Sequence, residues 1–535
     1  MKFQNLLVLA IILLGMTFTA CQPEQIASGV SIVPAPQQVQ MQKGSIQLKQ
    51  EIGVSAQGKG LSEVVAVFNE ELKKYTSFSA IESAEGVQVY LDLSLNSSNS
   101  EAYALSITKK DIKITASSQA GAFYGLQSLL QIIINSDNGK LPCVEISDAP
   151  RYEWRGFMLD ESRHFFGKEE VKLLLDMMSL QKMNKFHWHL TDSPGWRIEI
   201  KKYPLLATVG GKGNNTFADA PAKFYTQEEI KEIVAYAGER FIEVIPEIDM
   251  PGHAAAAVRA YPEFDGGGSA QHPNFTFHPA KEGTYQFLTD ILREVSLLFP
   301  SKYIHIGGDE VHFGNQQWAK FPEVKALMKK ENMKSLVDVE HYFLHRMADS
   351  IKQLNKTVLA WDEVITAGLS NDNTVVMWWR HDRKQLLKNA IEKNYKVIMC
   401  PRRPLYFDFV QHDSHTDGRR WGGFCPVEDV YAFPNDTMTG GNSYESPMVI
   451  GVQANAWTEV IHTTERLEFM TFPRLSALAE SAWTEDASKD SANFNDRLKQ
   501  MFNLWDKMDI SYFNPFDVES TPEIKGPKKG EWFDQ

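Results

Sequence analysis

Residues 303–310 read YIHIGGDE, a short apolar run that ends in two glycines and two carboxylates. An apolar run of this length is typical of a strand that is buried on both faces. Gly307 and Gly308 lack side chains where such a strand must bend and let a substrate approach, although a simple strand-ending turn would also use glycine. Asp309 and Glu310 would then stand at the carboxyl end of the strand, where barrel enzymes carry their reactive groups.

The region that follows Arg151 repeats this pattern. Apolar segments alternate with helical or long irregular stretches, and Thr226 with Glu229 has the form of a capping box that opens one of the helices. The predicted strands are 154–159, 185–190, 241–246, 303–306, 357–361, 374–378, 396–399 and 449–454. Eight strands alternating with helices predict a (β/α)₈ TIM barrel, which we place over residues 150–514.

Residues 28–148 show a mixed pattern instead. Alternating segments over 87–95 and 102–116 predict strands, the second of them with a turn at 109–111, and apolar faces predict helices over 61–75 and 120–134. This part contains no convincing cluster of catalytic side chains, so we predict a smaller, non-catalytic α/β domain. The tail, residues 515–535, is rich in Pro, Gly, Lys and Glu and is expected to be loosely held.

At 535 residues the chain exceeds one ordinary domain, and its composition, with 43% hydrophobic and 23% charged residues, is that of a folded globular protein. Its formal net charge of −13 argues against a general binder of nucleic acids or anionic membranes, because these proteins need basic patches. Cys143, Cys400 and Cys425 have no C-x-x-C spacing. A disulfide framework or zinc knuckle is therefore not expected, although one pair remains open, and we interpret these cysteines as small buried hydrophobes.

The first 21 residues predict an export signal. Lys2 precedes an apolar run over 6–14, which is too short to span a membrane. Small or uncharged residues then lead to Cys21, an arrangement that resembles a bacterial lipobox, with Phe18 where leucine is usual. We expect an exported bacterial lipoprotein that is lipidated at Cys21 and held on the periplasmic side or cell surface by its lipid anchor only. The alternative is ordinary signal cleavage nearby.

Polar and aromatic side chains recur at the predicted carboxyl ends of the strands. Each has a plain structural alternative, because a Trp in a strand is more often a core residue and an Arg is usually paired or solvated. Their recurrence at one end of nearly every strand favours a pocket with aromatic walls and hydrogen-bonding carboxylates, which suits a sugar ring. These residues are Asp160, Arg163, Asp192, Glu247, Asp249, His253, Asp309, Glu310, Trp361, Trp379, Tyr406, Asp408, Trp457 and Glu459.

Four segments carry a resemblance to a known family, namely DESRHF at 160–165, HWHLTD at 187–192, PEIDMPGH at 246–253 and HIGGDE at 305–310. Their content and order resemble the family 20 glycoside hydrolases, the β-N-acetylhexosaminidases. The first domain, which contains AGAFYGL at 120–126, is similar to the non-catalytic domain of that family, so the resemblance covers most of the chain. It implies an exo-acting enzyme that removes terminal N-acetylglucosamine or N-acetylgalactosamine from oligosaccharides or glycoconjugates.

The resemblance also implies a retaining, substrate-assisted mechanism. The substrate's own 2-acetamido oxygen would attack its anomeric carbon and form an oxazolinium ion, while Glu310 acts first as acid and then as base. Asp309 would orient the acetamido group, and Tyr406 would hydrogen-bond its oxygen. The other implied roles are support of this pair by His253 and Asp192, an apolar box from Trp361, Trp379 and Trp457, and hydroxyl contacts from Arg163, Asp408 and Glu459. No metal or organic cofactor is implied.

The spacing of the two acids agrees with that mechanism. A protein nucleophile would need a second carboxyl about 5–5.5 Å from the acid and beneath the sugar. Neighbouring residues that leave a strand project in divergent directions, so Asp309 is poorly placed to attack from the far side of a bond that Glu310 protonates.

Two positions depart from the family pattern. Pro194 follows the Asp192 motif and fixes a backbone angle there, so this loop is expected to differ in shape. Ala254 replaces the hydroxyl residue that is common after the histidine, which leaves the support of His253 open. Trp421 lies in an irregular stretch and is a candidate platform for a second sugar.

Two other hypotheses remain at this point. His187 and His189 share a strand face and could form a zinc site with Asp309. Alternatively, the chain could be a surface glycan-binding lipoprotein that kept the pocket but lost turnover. The presence of Asp309, Glu310 and Tyr406 argues against the second hypothesis.

Overall fold

The computed structural model describes residues 29–82 and 86–527. The predicted signal and its Cys21 lie outside these ranges. Among the described helices, none has the length and apolar character needed to cross a membrane. Cys143, Cys400 and Cys425 are all buried, as expected.

The amino-terminal part is a seven-stranded mixed sheet with two helices. Its strands are β1 (Gln38–Gln47), β2 (Glu51–Gln57), β3 (Ser79–Ile81), β4 (Gln88–Asp92), β5 (Tyr103–Ile107), β6 (Ile112–Ala116) and β7 (Lys140–Asp148). The sheet order is β1-β7-β5-β6-β4-β2-β3, and α1 (Leu61–Tyr75) and α2 (Gln119–Ile134) pack on the sheet and on each other. Both helices were predicted, and β5 and β6 are the two halves of the predicted 102–116 segment.

The rest of the chain forms a closed barrel of eight parallel strands. They are β8 (Trp154–Asp160), β9 (Lys185–His189), β10 (Glu243–Glu247), β11 (Tyr303–His305), β12 (Thr357–Trp361), β13 (Thr374–Trp378), β14 (Lys396–Met399) and β15 (Val449–Ala456). Each pairs with its neighbour in chain order, and β15 pairs with β8 to close the ring. All eight predicted strands are present, with ends that differ by no more than two residues.

Helices cover the connections of the barrel. They are α3 (Lys168–Leu180), α4 (Gln227–Glu239), α5 (Ala255–Ala260), α6 (Glu282–Leu298), α7 (Pro322–Lys330), α8 (Leu336–Gln353), α9 (Val364–Ala367), α10 (Lys384–Glu392), α11 (Arg402–Leu405), α12 (Val427–Ala432), α13 (Asp436–Thr439), α14 (Thr464–Thr471), α15 (Arg474–Trp483) and α16 (Ser491–Met508). Helix α4 begins with the predicted capping box, in which the Thr226 side chain accepts from Glu229 N–H and the Glu229 carboxylate accepts from Thr226 N–H.

Buried charges join the two parts of the chain. The ammonium of Lys182, from the barrel, lies 3.1 Å from Oδ2 of Asp148 at the end of β7, and neither side chain is exposed. The indole N–H of Trp483 donates to the other oxygen of Asp148 at 2.9 Å. Arg155 in β8 pairs with Glu101 at 2.8 Å. Because buried charges need partners, each part completes the other's interior.

The described part of the tail, residues 515–527, is more firmly held than its composition predicted. The carboxylate of Glu523 accepts from the backbone N–H groups of Thr416 and Asp417 at 2.9 and 2.8 Å. The guanidinium of Arg466 hydrogen-bonds the carbonyl oxygen of Ile524. Specific polar contacts therefore hold a segment that has no apolar pattern.

Candidate active site

The carboxyl ends of the barrel strands surround an open pocket of about 240 Å³. Its lining consists of Arg163, His253, Asp309, Glu310, Phe313, Trp361, Trp379, Arg402, Tyr406, Asp408, Arg419, Trp421, Trp457 and Glu459. Of the predicted catalytic and sugar-binding residues, Asp192 alone is missing from this lining, because it is buried behind His253. The barrel thus brings together side chains that are far apart in the sequence.

Asp309 and Glu310 follow β11 on a sharply turned backbone. Gly307 and Gly308 have φ angles of 65° and 89°, and Glu310 itself has a φ of 52°. A left-handed conformation is costly for a residue with a side chain, and such strain is concentrated at functional sites. The turn places both carboxyl groups on the same pocket.

Gly307 has a different purpose from the one predicted. A Cβ atom at this position would lie 1.7 Å from Oδ1 of Asp249, so the missing side chain makes room for a buried carboxyl group and not for a substrate. Asp249 is 3% exposed, and the backbone N–H of Asp249 donates to the hydroxyl of Thr191. Any larger residue at 307 would displace Asp249 from behind the catalytic turn.

His253 is shared by the two acids. Its Nε2 atom lies 3.6 Å from Oδ2 of Asp309 and 3.8 Å from Oε2 of Glu310. Burial, and next the negative charge of Asp309, raise the pKa of Glu310 to about 7. Burial alone would lower the pKa of His253, but the carboxylates of Asp192 and Asp309 raise it to about 9. Near neutral pH, a charged imidazole therefore faces an acid that can still hold its proton.

A row of alternating charges continues behind His253. Its Nδ1 atom lies 2.9 Å from Oδ1 of Asp192, and Oδ2 of Asp192 lies 2.9 Å from Nε2 of His189. The second nitrogen of His189 lies 2.6 Å from the Glu247 carboxylate, which is buried. Arg163 approaches Asp192 to 2.7 Å. His253 therefore lies against the Asp309–Glu310 pair, and Asp192 lies behind His253.

The contact with Asp192 shows how His253 is supported although residue 254 is an alanine. His253 is held by Asp192 and by the edge of the Phe275 ring, whose centroid lies 4.7 Å from its own. The Pro194 loop also keeps Asp192 in place, because the backbone N–H of Asp192 donates to the carbonyl of Gly195 at 3.2 Å.

Four aromatic side chains form one wall of the pocket. Trp361, Trp379, Trp457 and Tyr406 are all less than 10% exposed, and Trp379 lies parallel to Tyr406 with ring centroids 6.4 Å apart. The indole N–H of Trp361 donates to Glu247 at 3.1 Å. These indole rings make a largely apolar box around the hydroxyl of Tyr406.

The indole of Trp379 has its own carboxylate partner, since it donates to Glu363 at 3.1 Å. Glu363 was not among the predicted residues, although it follows the end of β12 at Trp361 by two positions.

Asp408 and Glu459 lie at another side of the pocket, joined by Arg419. The Nε of Arg419 is 2.8 Å from Oδ2 of Asp408, and one of its terminal nitrogens is 3.0 Å from Oε1 of Glu459. Arg163 is 3.9 Å from the same Glu459 oxygen. Arg419, Phe313 and Arg402 were not predicted, because they lie in connections between strands, away from the strand ends.

The predicted strand-end residue Asp160 is structural. Its Oδ1 atom accepts from the backbone N–H groups of Ser162 and Arg163 at 2.9 and 3.1 Å, and it is fully buried. This carboxylate shapes the turn that presents Arg163 to the pocket.

The histidines of the zinc hypothesis are engaged elsewhere. His189 uses both nitrogens on Glu247 and Asp192, and the Nδ1 atom of His187 lies 3.0 Å from the amide nitrogen of Gln453. Two ligand atoms on one tetrahedral zinc ion would stand about 3.3 Å apart or more. These spacings are those of hydrogen bonds, and the structure does not bring the two histidines together with Asp309 as ligands.

Comparisons with known proteins give matches over most of the chain. The family model described as "Glycosyl hydrolase family 20, catalytic domain" matches residues 152–486, and that described as "Glycosyl hydrolase family 20, domain 2" matches residues 29–149.

Curated relatives and solved structures agree with these matches. A β-hexosaminidase of Porphyromonas gingivalis is 35% identical, and the alignment covers 91% of this chain but 65% of that protein, just under two thirds of its length. A β-hexosaminidase of Vibrio furnissii is 34% identical, with 86% and 77% covered. Among structures, an exo-β-N-acetylglucosaminidase of Vibrio harveyi in complex with N-acetylglucosamine has a TM-score of 0.83 at 30% identity, with 92% and 80% covered. A β-N-acetylhexosaminidase of Bacteroides fragilis has a TM-score of 0.79 at 33% identity, with 93% and 100% covered.

Proposed function

The chain belongs to glycosyl hydrolase family 20 and is a glycoside hydrolase, and from this premise we propose that it is an exo-acting β-N-acetylhexosaminidase. Its substrates would be oligosaccharides or glycoconjugates that end in N-acetylglucosamine or N-acetylgalactosamine. The observation that carries the proposal is the shared contact of Asp309 and Glu310 with His253, at 3.6 and 3.8 Å, beside a box of aromatic rings. Two acids on one side of a pocket suit a reaction in which the substrate supplies the nucleophile.

The proposed mechanism is retaining and substrate-assisted. The acetamido oxygen forms a bond to the anomeric carbon while the bond from that carbon to the leaving oxygen breaks, and Glu310 gives its proton to the leaving group. Water then attacks the anomeric carbon of the oxazolinium ion, the bond to the acetamido oxygen breaks, and Glu310 takes the proton of the water. His253, charged near neutral pH, moderates the change of charge on Glu310.

The other pocket residues position the acetamido group. Asp309 accepts a hydrogen bond from the acetamido N–H and offsets the positive charge that develops on the oxazolinium ring. Preorganised groups have this effect in other active sites. Tyr406 donates to the attacking oxygen, and Trp361, Trp379 and Trp457 enclose the methyl group. Burial of these aromatic side chains excludes water from the charged intermediate.

A comparison of matched substrates tests this proposal. The purified protein should hydrolyse an aryl N-acetyl-β-glucosaminide and leave the matching β-glucoside, which lacks the acetamido group, essentially untouched. Equal turnover of both would exclude participation of the acetamido group. Binding of the acetamido sugar without turnover would instead support the glycan-binding alternative.

The pKa of Glu310 gives a prediction for the pH dependence. Because the acid must be protonated to serve the leaving group, kcat/KM for a poor leaving group should fall as the pH rises through about 7. His253 should stay charged over that range, since its pKa is raised to about 9. The measurement is a pH profile of kcat/KM, and a basic limb near the ordinary pKa of glutamate, about 4.3, would contradict the assignment.

We also propose that the chain is exported and lipidated at Cys21. Support comes from the sequence of residues 1–21, which lie outside the described ranges. Radiolabelled palmitate should be incorporated by the natural chain and not by Cys21→Ser; equal labelling of both would contradict the proposal.

A further inference from the structure

Arg419 makes a fork between two acids of the pocket. Its Nε lies 2.8 Å from Oδ2 of Asp408, and a terminal nitrogen lies 3.0 Å from Oε1 of Glu459. The backbone of Arg419 is also fixed, because its N–H donates to the carbonyl of Asp408 at 3.0 Å and its carbonyl accepts from Val410 N–H at 3.2 Å. The guanidinium holds Glu459 by a hydrogen bond and Asp408 by an ion pair, and these two contacts fix the carboxylates relative to each other.

Each of the two carboxylates keeps one oxygen for another partner. Oδ1 of Asp408 and Oε2 of Glu459 are buried and have no hydrogen-bond partner among the described residues, and Oδ2 of Asp408 meets Arg419 as an ion pair without a hydrogen bond. Both residues line the pocket, and they are only 1% and 5% exposed. A buried acceptor without a partner is costly, so these two oxygens are set up to receive donors from a ligand.

The positive charge of Arg419 favours the ionised forms of Asp408 and Glu459. Burial raises the pKa of Asp408 to about 7, against which Arg419 lowers it, and Arg419 together with Arg163 keeps the pKa of Glu459 below its usual value. Arg163 is the more distant cation, at 3.9 Å from Glu459, and it lies closer to Asp192, at 2.7 Å. Two buried carboxylates without a close cation would repel each other and take up protons.

The guanidinium of Arg419 also lies over the ring of Trp421, another residue of the pocket lining. The central carbon of Arg419 lies 4.4 Å from the ring centroid of Trp421, and Trp421 is 51% exposed. The ring also forms a T-shaped pair with Phe409, at 5.9 Å between centroids. An exposed ring that is stacked on a buried cation is fixed in position while one face stays available.

We propose that Arg419 is a positioning residue that determines specificity: it aims Asp408 and Glu459 at the hydroxyl groups of the terminal sugar and supports Trp421 beneath the following sugar. This inference rests on the proposed function and names the residue that couples recognition of two neighbouring sugar units. It assigns no role to Arg419 in bond breaking, because its contacts with Asp408, Glu459 and Trp421 concern recognition of the sugar.

Calorimetric binding of N-acetylglucosamine and of its 4-deoxy and 6-deoxy analogues tests the first half of the proposal without requiring turnover. In the unaltered protein, loss of a hydroxyl group that bonds a charged acceptor should weaken binding about tenfold to a hundredfold. In Arg419→Gln, binding of the parent sugar should weaken by a similar factor, and the further loss for the deoxy sugars should shrink to about twofold or less. Such a cycle isolates the coupling between Arg419 and the hydroxyl groups.

Arg419→Lys keeps the positive charge but loses the fork, so it should retain the thermal midpoint and still show the reduced hydroxyl dependence. The matched control is Arg420→Gln, because the neighbouring Arg420 bonds Asp413 and the carbonyl of His415 and does not line the pocket. Arg420→Gln should bind like the unaltered protein. In steady-state kinetics, Arg419→Gln should raise KM and leave kcat within about threefold, whereas a general loosening of the fold would lower kcat and the thermal midpoint together.

The second half is tested with N,N′-diacetylchitobiose and methyl N-acetyl-β-glucosaminide, which share the terminal sugar. Trp421→Ala and Arg419→Gln should both lower the preference for the disaccharide, by about threefold or more, and Arg420→Gln should not. An undiminished hydroxyl penalty in both Arg419 variants, with binding intact, would overturn the role of Arg419 alone. If the unaltered protein neither bound nor hydrolysed the acetamido sugar, the proposed function itself would fall.

Discussion

Glu310→Gln is expected to stop the hydrolysis of glycosides with poor leaving groups while sparing part of the activity on activated ones. A glutamine has the shape of the acid but no proton to give, and only a poor leaving group requires protonation. The loss in kcat/KM should be about 10²–10⁴-fold for N,N′-diacetylchitobiose and much smaller for a dinitrophenyl glycoside. Steady-state kinetics on the two substrates measure the difference.

The control for this change is Glu340→Gln. Glu340 is a partly buried glutamate near Asp309 whose pKa is raised to about 7 by burial and by Asp309, yet it does not line the pocket. Its replacement should leave both rates nearly unchanged. If Glu310→Gln reduced both substrates by the same factor, Glu310 would have some role other than that of a general acid.

Asp309→Asn should lower the rate by about 10²–10³-fold for every leaving group, as the loss of one preorganised electrostatic partner does. The amide can neither accept the acetamido N–H as strongly nor offset the positive charge of the oxazolinium ion. Because the defect concerns attack and not departure, the dependence on leaving group seen with Glu310→Gln should be absent. Near-normal rates for Asp309→Asn would show that its assigned role is wrong.

Mass spectrometry distinguishes attack by the substrate's acetamido oxygen from attack by a protein carboxylate. If a protein carboxylate attacked the sugar, mass spectrometry during turnover would find a glycosyl ester on that side chain. We expect no such ester, since Asp309 and Glu310 approach the same imidazole and therefore lie on one side of the pocket.

The strands were predictable because each is an apolar run with polar residues directly after it. In a parallel barrel all carboxyl ends meet at one face, so Asp309, Tyr406 and Trp457 could be assigned to one site without knowledge of any distance. The capping box at Thr226 was equally local, because its two hydrogen bonds depend on a spacing of three residues.

The remaining features depend on contacts between irregular segments, which no period reveals. Arg419 lies in the long connection between β14 and β15, and its importance follows only from the two carboxylates that it reaches. Gly307 was expected to admit a substrate, but its neighbour in space is Asp249, 58 positions earlier in the chain. The tail has polar partners in residues 416–417, which its composition could not indicate.

The ion pair between Lys182 and Asp148 bears on any attempt to shorten this protein. Deleting the sheet at the amino end would remove both hydrogen-bond partners of the Lys182 ammonium, Tyr103 and Asp148, and uncover a face of the barrel that is now buried. The indole of Trp483 would lose its acceptor at the same time. A minimal catalyst cut down to the barrel would therefore need polar substitutions on the uncovered face before it could stand alone.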